Sequence, residues 1–297
     1  MPQTTNKIMM MEPVGFHSNP QTMETNTYQA EDPNDLSGVK QLAVKEFRGL
    51  RDRLIEAGVI VVTALGHEES PDDIFCNNWV ATLSEGRMIL YPMLAKNRRI
   101  ERRDHIMEYL GRSYDVAMDL SYMEQDGKYL ESTGSHWLDR SNKVAYFALS
   151  PRTNKELAEE WCRHFGFEPV FFNTKNHVGK PVYHTDVMMY IGTTIAGICS
   201  SCIVEEDRSY VLSRLSEHRE ILDISVDQLR HFCGNSLELR GTDNKKIMAM
   251  SSSAYHAYDD DQKALLLKHV DEIAHSDIAT IEKYGGGSAR CMLLELH

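Results

Sequence analysis

Short apolar segments rich in β-branched and aromatic residues alternate along this chain with amphipathic stretches. This alternation is typical of an α/β or α+β fold. Most strand candidates come in pairs, and most pairs are followed by a helix candidate. The strand candidates are KIMMMEP (7–13), NWVATL (78–83) with RMILYPM (87–93), KYLESTGSHWLDR (128–140) with KVAYFAL (143–149), HTDVMMYIG (184–192) with TIAGICSSCIV (194–204), NSLELRG (235–241) with KIMAMSS (246–252), and RCMLLEL (290–296).

Helical periodicity and cap signals predict four helices. The clearest covers residues 37–57 and ends before Gly58; a buried strand, VIVVTAL, is predicted to follow it. The second begins at TNKE, where Thr153 can cap and Glu156 can complete a capping box. The others are predicted at residues 211–221 and within DDDQKALLLKHVDEIAH. The apolar positions of the first helix are Leu42, Phe47, Leu50, Leu54 and Ile55.

From the second unit onward, a strand pair and a helix recur at a spacing of roughly 50 residues, a period found in propellers and arrays. If such units close into a ring, the first strand must lie beside the last. Ring closure would also explain a strand-like segment at the C-terminus, where chains usually fray. We therefore predict one domain over residues 1–297, with the last segment completing the ring.

Composition and charge exclude several classes of protein. The formal net charge of -12 opposes nucleic-acid binding, and the basic run KNRRIERRDH is interpreted as a solvated helix face. No apolar stretch is long enough for a membrane span or a secretory leader, which predicts a soluble protein of the cytoplasm. Six cysteines in 297 residues are too few for a disulfide scaffold, so we expect reduced thiols.

Cys291 is the first candidate for chemistry, because it follows GGGSAR. Glycines allow tight turns and close approach of a ligand to the backbone. Arg290 is adjacent, but neighbouring side chains on a strand face opposite sides, so we assign it no role in lowering the thiol pKa. A lone cysteine can equally be a small buried apolar residue.

Three further segments carry polar candidates. In HTDV, His184 and Asp186 would face the same side of a strand and could address one ligand, or they could lie on a solvated face. Glu131 precedes STGS, where a carboxylate could cap a turn or hold a cation. Asn77 and Asn78 precede a strand, where ordinary turn chemistry is the alternative.

Together, in this order, these segments resemble the guanidino-group modifying superfamily of arginine deiminases, dimethylarginine dimethylaminohydrolases, amidinotransferases and succinylarginine dihydrolases. The closest resemblance is to citrulline-utilisation hydrolases of the CtlX type, over nearly the whole chain from MEPVGFHSNPQT to the terminal cysteine. The resemblance implies an α/β fold, the five-bladed α/β propeller (pentein) of ββαβ units with pseudo-fivefold symmetry around a polar channel. It implies no cofactor and no metal.

The resemblance also implies roles for individual residues. GGGSARCMLLE matches the deiminases' glycine-rich segment and Cys-Met pair, which makes Cys291 the nucleophile. HTDV matches His-x-Asp, so His184 would transfer protons and Asp186 would bind substrate. LESTGS matches Glu-Gly-Gly at Glu131, but departs from it at the next two residues. FCNN aligns with Phe-x-Arg-Asp, so Asn78 replaces the aspartate that pairs with a guanidinium.

The asparagine at position 78, in place of the family's aspartate, favours a ureido substrate, because an amide can donate a hydrogen bond to a neutral oxygen. The implied reaction converts citrulline or arginine to ornithine, ammonia and carbon dioxide through a covalent Cys291 intermediate. His184 would protonate the leaving nitrogen and then activate water. Arg140 is a candidate for binding the substrate carboxylate, with a surface salt bridge as the alternative, and Asn235 for lining the channel.

Several alternatives remain open. An arginine deiminase or dimethylargininase would release citrulline, an amidinotransferase would use an amine instead of water, and a binding protein would have lost the chemistry. CSSC, with Cys199 and Cys202, could indicate a metal or redox site, although a single pair in an apolar run is more typical of core thiols. The expected partner is a small guanidino or ureido amino acid; a homodimer is left open.

Overall fold

The structure is a computed structural model that describes residues 1–31 and 35–297. Its strands form five three-stranded mixed sheets within an α/β fold. The strands are β1 (Lys7–Glu12), β2 (Ile60–Leu65), β3 (Val80–Leu83), β4 (Arg87–Leu90), β5 (Asp115–Asp119), β6 (Trp137–Asp139), β7 (Val144–Ala148), β8 (Glu168–Phe172), β9 (Met189–Ile191), β10 (Ile195–Ile198), β11 (Glu220–Asp223), β12 (Leu237–Arg240), β13 (Lys246–Ser251), β14 (Glu272–Ser276) and β15 (Leu294–Glu295).

Helices connect these strands. They are α1 (Leu36–Glu56), α2 (Asp104–Gly111), α3 (Ser132–Ser135), α4 (Lys155–Phe165), α5 (Thr185–Met188), α6 (Glu205–Ser216), α7 (Val226–Arg230), α8 (Ser252–Ala257), α9 (Asp260–His269) and α10 (Ala279–Gly285). Short 3-10 helices cover Lys96–Glu101, Ser121–Asp126, Ser200–Cys202, Thr242–Asn244 and Ala289–Met292.

All five sheets share one construction. The middle strand pairs antiparallel with one neighbour and parallel with the other, as in β3-β4-β5, β6-β7-β8, β9-β10-β11 and β12-β13-β14. At least one helix lies between the middle strand and the parallel strand, because a parallel connection must cross back over the sheet. This is the strand pair plus helix predicted from the sequence.

The remaining sheet joins the two ends of the chain. β15 pairs antiparallel with β1, with Ile8 opposite Glu295 and Met9 opposite Leu294, and β1 pairs parallel with β2. The backbone N–H of Leu296 also donates to the carbonyl of Lys7. The prediction that the first strand lies beside the last is therefore confirmed.

Burial follows the way each edge strand pairs with the middle strand of its sheet, because the antiparallel edge strands are mostly buried whereas the parallel edge strands are partly exposed. Every residue of β3, β6, β7, β9 and β10 is buried. β2 is the parallel edge strand of its sheet and has no buried residue, with Ile60 53% exposed and Leu65 64% exposed. The prediction that VIVVTAL is a buried strand was wrong, because an apolar run does not reveal whether its strand forms the buried or the exposed edge of a sheet.

Four helix predictions are corrected. α1 buries Val39, Ala43, Phe47, Leu50 and Leu54, a stripe at helical spacing, whereas Leu42 and Ile55 are about half exposed. The side chain of Asn154, not Thr153, caps α4 by accepting from Leu157 N. The predicted helix at 211–221 is α6, and residues 272–275 of the fourth helix belong to β14. In both cases the residues of a following strand had been included in a helix.

Candidate active site

Cys291 lies in the turn that enters the last strand and is 3% exposed. α10 ends at Gly285, and Gly286 has a φ of 64°, a conformation that favours glycine. A Cβ on Gly285 would lie 2.5 Å from the Phe75 ring, and one on Gly286 would lie 2.5 Å from Asn26 Nδ2. The glycine run therefore allows two other segments to pack directly on the turn that carries the thiol.

Two polar groups contact the Cys291 sulfur. Asn235 Nδ2 lies 3.2 Å from Sγ and also donates to the Asp186 carbonyl at 2.7 Å. The thiol donates to Asp186 Oδ2 at 3.6 Å, and Asn77 Nδ2 donates to the same oxygen at 3.1 Å. Asn235 and Asp186, both predicted to serve substrate binding, therefore lie against the candidate nucleophile.

The Cys291 thiol is protonated near neutral pH. Burial raises its pKa, the negative charge of Asp186 raises it further, and the charge of Arg290 lowers it by a smaller amount. The expectation that Arg290 plays no part was wrong, because residues 289–292 form a 3-10 turn and not a strand. Burial likewise raises the pKa of Asp186. The thiol therefore requires an activating event before it can attack.

His184 and Glu131 form a buried pair. His184 Nε2 lies 2.7 Å from Glu131 Oε2, and Arg152 Nη1 lies 3.4 Å from the same oxygen. Burial raises the pKa of Glu131, but the charge of Arg152 and the His184 hydrogen bond outweigh it and lower the pKa to about 2. Burial lowers the pKa of His184. At neutral pH the pair is thus an ionised carboxylate and a neutral imidazole that donates from Nε2.

The local structure around these residues differs from the prediction. STGS forms the short helix α3 directly after Glu131, and HTDV gives an extended His184 followed by α5, which contains Asp186. The interpretation that His184 and Asp186 share one face of a strand was therefore wrong. α3 and α5 pack against each other, so the two short helices bring Glu131, His184 and Asp186 together.

Asn78 lies beside His184 with one amide atom unpaired. Its Oδ1 accepts from Arg98 Nη1 at 2.8 Å, whereas its Nδ2 is buried and has no hydrogen-bond partner in the described part of the chain. A Cβ on Gly134 would lie 2.6 Å from Asn78 Nδ2 and 2.7 Å from His184 Nδ1. Gly134 thus keeps side-chain atoms out of the space between the amide and the imidazole.

These groups meet in a pocket with about 260 Å³ of empty space between its atoms. Asp72, Asn78, Arg98, His184 and Cys291 line it, together with Arg152, Thr22, Asn26, Phe75, Tyr183, Gly285 and Gly287. The open part is only about the size of a water molecule. A ligand larger than water therefore requires lining side chains to move.

Sequence reasoning missed three charged groups of this pocket. Asp72 Oδ2 accepts from Asn19, whereas its buried Oδ1 has no partner among the described residues. Arg98 belongs to the run interpreted as a solvated helix face, but it is 2% exposed and its Nε lies 2.7 Å from Glu101 Oε1. The three-residue spacing of Arg98 and Glu101 was an available signal. For Arg152, nothing in the sequence indicated the pocket.

Arg140 does not reach this pocket. It lines a separate cavity with His136 and Arg290, and its Nη2 lies 3.9 Å from Glu295 Oε2. The prediction of a carboxylate-binding role next to Cys291 is therefore corrected, because Arg140 follows β6 on the side that faces β15. The alternative of a surface salt bridge also fails, since Arg140 is 4% exposed.

The other cysteines and a much larger cleft lie elsewhere. Cys199 and Cys202 are buried with their sulfurs 3.4 Å apart, and every cysteine is free in the described chain. Residues 1–31 and 35–297 contain no group of three or more His, Cys, Asp or Glu side chains that could hold a metal ion. An open cleft of about 520 Å³ lies between Thr4, Arg240 and His297, so size does not locate the candidate site.

Comparison with family models gives one match, the family described as "N,N dimethylarginine dimethylhydrolase, eukaryotic", over residues 12–297. The chain belongs to this family. The superfamily resemblance drawn from the sequence is thereby confirmed, whereas the CtlX type stays a prediction. A search of curated proteins gives no match to the chain.

Solved structures of the same fold include ArgZ and AgrE as well as a dimethylarginine dimethylaminohydrolase. The N-terminal domain of ArgZ, an arginine dihydrolase from the ornithine-ammonia cycle in Cyanobacteria, has a TM-score of 0.76 at 16% identity, covering 97% of each chain. Unliganded AgrE has a TM-score of 0.78 at 18% identity, covering 98% of this chain and 39% of its own. A dimethylarginine dimethylaminohydrolase adduct with S-methyl-L-thiocitrulline has a TM-score of 0.67 at 16% identity, covering 98% and 99%. At these identities the likeness is one of fold.

Proposed function

We propose that this protein is a hydrolase that cleaves C–N bonds of a guanidino or ureido amino acid through a covalent intermediate on Cys291. The observation that carries the proposal is the pocket where Cys291, His184 and the unpaired amide of Asn78 meet, supported by Glu131 and Asp186. A nucleophile, a proton carrier and carboxylates are the parts that this chemistry needs. Membership of a dimethylarginine hydrolase family supports the same reaction class.

A cationic substrate supplies the activation that the free thiol lacks. A guanidinium beside Cys291 favours the thiolate, since an opposite charge within a few ångströms lowers a thiol's pKa. Asp186, 3.6 Å from the sulfur, can accept the thiol proton or hold substrate N–H groups. Asp72, with one unpaired carboxylate oxygen in the described chain, offers a second partner for a positive group. Binding and activation of the nucleophile are therefore coupled.

The reaction then follows the arrangement of the pocket. The sulfur adds to the central carbon of the guanidinium as the thiol proton passes, directly or through Asp186, to Nδ1 of the neutral His184. The resulting imidazolium gives that proton to the departing nitrogen, which leaves as ammonia. Glu131 stabilises the imidazolium whenever it forms, because it is ionised and hydrogen-bonded to Nε2. Water, deprotonated by His184, adds to the same carbon and releases the sulfur with a ureido product. A second cycle on the ureido carbon gives ornithine, ammonia and carbon dioxide.

Asn78 supports cleavage of both bonds. Its Oδ1 is held by Arg98, which orients the amide so that Nδ2 remains available as a donor. A ureido oxygen is an acceptor and pairs with such a donor. One alternative is a dimethylargininase-type hydrolase, which stops at citrulline. The observation that supports it is the description of the matching family, which names methylated arginine. An amidinotransferase requires an acceptor amine in place of water.

Counting products distinguishes these reactions. We expect arginine to yield two ammonia molecules per ornithine and citrulline to yield one. The measurement is an ammonia assay combined with chromatographic quantification of ornithine and citrulline, with arginine, citrulline, methylated arginines, succinylarginine and agmatine as substrates. Citrulline that accumulates as an end product would contradict cleavage of both bonds, and dependence on an added amine would indicate a transferase.

Replacing Asp186 by asparagine should separate thiol reactivity from turnover. The negative charge of Asp186 raises the pKa of Cys291, so its loss lowers that pKa and increases the thiolate fraction at pH 8. We expect iodoacetamide to modify Cys291 at least about 3-fold faster in D186N, whereas turnover falls by at least about 100-fold. Peptide mass spectrometry measures labelling, with C291S as the blank. Equal alkylation rates would argue against coupling between the carboxylate and the thiol.

The fold and location of the protein belong to the same proposal. The five sheets are the blades of a five-bladed α/β propeller formed by one domain, residues 1–297, in which β15 closes the ring. Contacts of β6 with β9, of β9 with β12 and of β15 with β3 support this order. We place the protein in the cytoplasm, where thiols stay reduced. In the portion that the structure describes, no helix is both long and apolar enough to cross a bilayer.

A further inference from the structure

A second buried cavity lies beside Arg290, the residue that precedes the candidate nucleophile. Its lining includes His136, Trp137, Arg140 and Glu295. Each of these side chains is at most 6% exposed. The residues come from α3 and β6 on one side and from the C-terminal segment on the other, so the cavity is built by the closure of the ring.

Hydrogen-bond donors in this cavity are unpaired. Arg140 Nη1, Arg290 Nε and Trp137 Nε1 are buried and find no partner within residues 1–31 and 35–297. The same holds for both ring nitrogens of His136 in the described chain. Burial, together with the charges of Arg140 and Arg290, lowers the pKa of His136 to about 3, so the ring is neutral. Buried donors without partners are costly, and their clustering indicates a site for an acceptor.

The charges around the cavity do not balance. Arg290 Nη2 lies 2.8 Å from Glu295 Oε2, and Arg140 Nη2 lies 3.9 Å from the same oxygen. Two guanidinium groups thus share one carboxylate. His297, which contacts the other oxygen of Glu295, is neutral at pH 7 because burial lowers its pKa. Among the described lining residues one positive charge is left without a counterion, and a buried unpaired charge is strongly unfavourable.

The size of the cavity limits which anion can balance this unpaired positive charge. The open space holds about one water-sized particle, so a carboxylate, phosphate or sulfate does not fit. A water molecule fits and can donate one hydrogen to the acceptor nitrogen of the neutral His136 ring, but it leaves the charge unbalanced. We propose that this cavity binds a single halide ion, chloride in the cell, held by Arg140, Arg290 and Trp137. The proposal does not rest on the proposed reaction, although the charge of Arg290 also acts on Cys291.

Bromide diffraction tests the proposal directly. Crystals of the wild-type protein grown with sodium bromide should show one anomalous bromine peak within hydrogen-bond distance of Arg140 Nη1 and Arg290 Nε. In solution, the Tm should be about 2 °C or more higher in sodium chloride than in sodium gluconate of equal ionic strength, and the difference should saturate. Gluconate is too large for the cavity, so the comparison isolates the bound ion from general screening.

Two variants separate this site from nonspecific effects of salt. Arg140→Met removes one donor and the excess charge, and we expect the difference in Tm between chloride and gluconate to vanish. Arg112→Met, at an exposed arginine, should retain it. The bromide experiment uses the wild-type protein, so it tests the proposal even if R140M fails to fold. Absence of a bromine peak in the cavity, with equal Tm values in the two salts, would overturn the proposal and assign the cavity to water alone.

Discussion

Replacing Cys291 by serine should lower turnover of the preferred substrate by at least about 10³-fold while the fold persists. A serine hydroxyl has the same shape and can still donate to Asp186 and accept from Asn235, which are the two side-chain contacts of the sulfur. Its oxygen, however, stays protonated at neutral pH and is a far weaker nucleophile than a thiolate. The measurement is ammonia release at saturating substrate, together with the Tm and the circular dichroism spectrum.

A matched control is available at Cys233, whose thiol is also buried and donates to the carbonyl of Ala254. We expect Cys233→Ser to have a similar effect on Tm and to retain turnover within about 10-fold, because such a substitution removes only packing. Rapid quenching of the wild-type reaction, followed by mass spectrometry, should detect the substrate carbon on the peptide that contains Cys291. Wild-type turnover in C291S would remove the covalent mechanism.

Replacing Asn78 by aspartate should convert cleavage of both C–N bonds into cleavage of one. Arg98 holds Oδ1 in either residue, so the orientation is retained, while the unpaired Nδ2 donor becomes a carboxylate oxygen. A ureido oxygen would then face an acceptor without a hydrogen bond, which costs about 1–3 kcal/mol or about 5- to 160-fold in rate. A guanidinium donates to the new carboxylate. We therefore expect N78D to turn arginine into citrulline and to release it.

The outcome is read from the ratio of citrulline to ornithine formed from arginine, and from ammonia release with citrulline as substrate. Asn6→Asp, at an exposed position, controls for the change in net charge and should leave the ratio unaltered. Undiminished hydrolysis of citrulline by N78D would contradict the role given to the amide. Loss of both reactions together would mean that Asn78 serves binding in general.

The repeated construction of the fold could be predicted from the sequence, because it depends on local patterns. Pairs of apolar segments, each pair followed by a helix candidate, gave the strand pairs of the four internal sheets. The repeat also predicted that the C-terminal segment is a structured strand beside the first strand, and the pairing of β1 with β15 confirms this. Local patterns did not reveal which edge of a sheet a strand forms, so β2 was predicted as buried although it is the exposed, parallel edge strand of its sheet.

For the candidate site, the sequence supplied the residue types and their order. Cys291, His184, Glu131, Asp186, Asn78 and Asn235 were selected from motifs and a family resemblance, and the structure brings all six together. Arg98 escaped selection because a charged residue in a basic run looks solvated until its partner is known, and Arg152 escaped it because no motif marks it. Arg98 is buried by contacts with Glu101 and Asn78, the latter 20 residues away, and Arg152 contacts Glu131, 21 residues away.

The sequence by itself determined the strand pairs of the four internal sheets, the four longest helices, the closing of the first strand on the last and the identity of the nucleophile candidate, since each depends on neighbours in the chain or on a motif. Only the tertiary structure decided which charges are buried and which cavity each one faces. It moved Arg140 away from the Cys291 pocket and placed it beside Arg290 and Glu295. The physical reason is that the burial and pairing of a charged side chain depend on the groups that the fold brings close to it. The distance between two such groups in space cannot be predicted from their separation in the sequence.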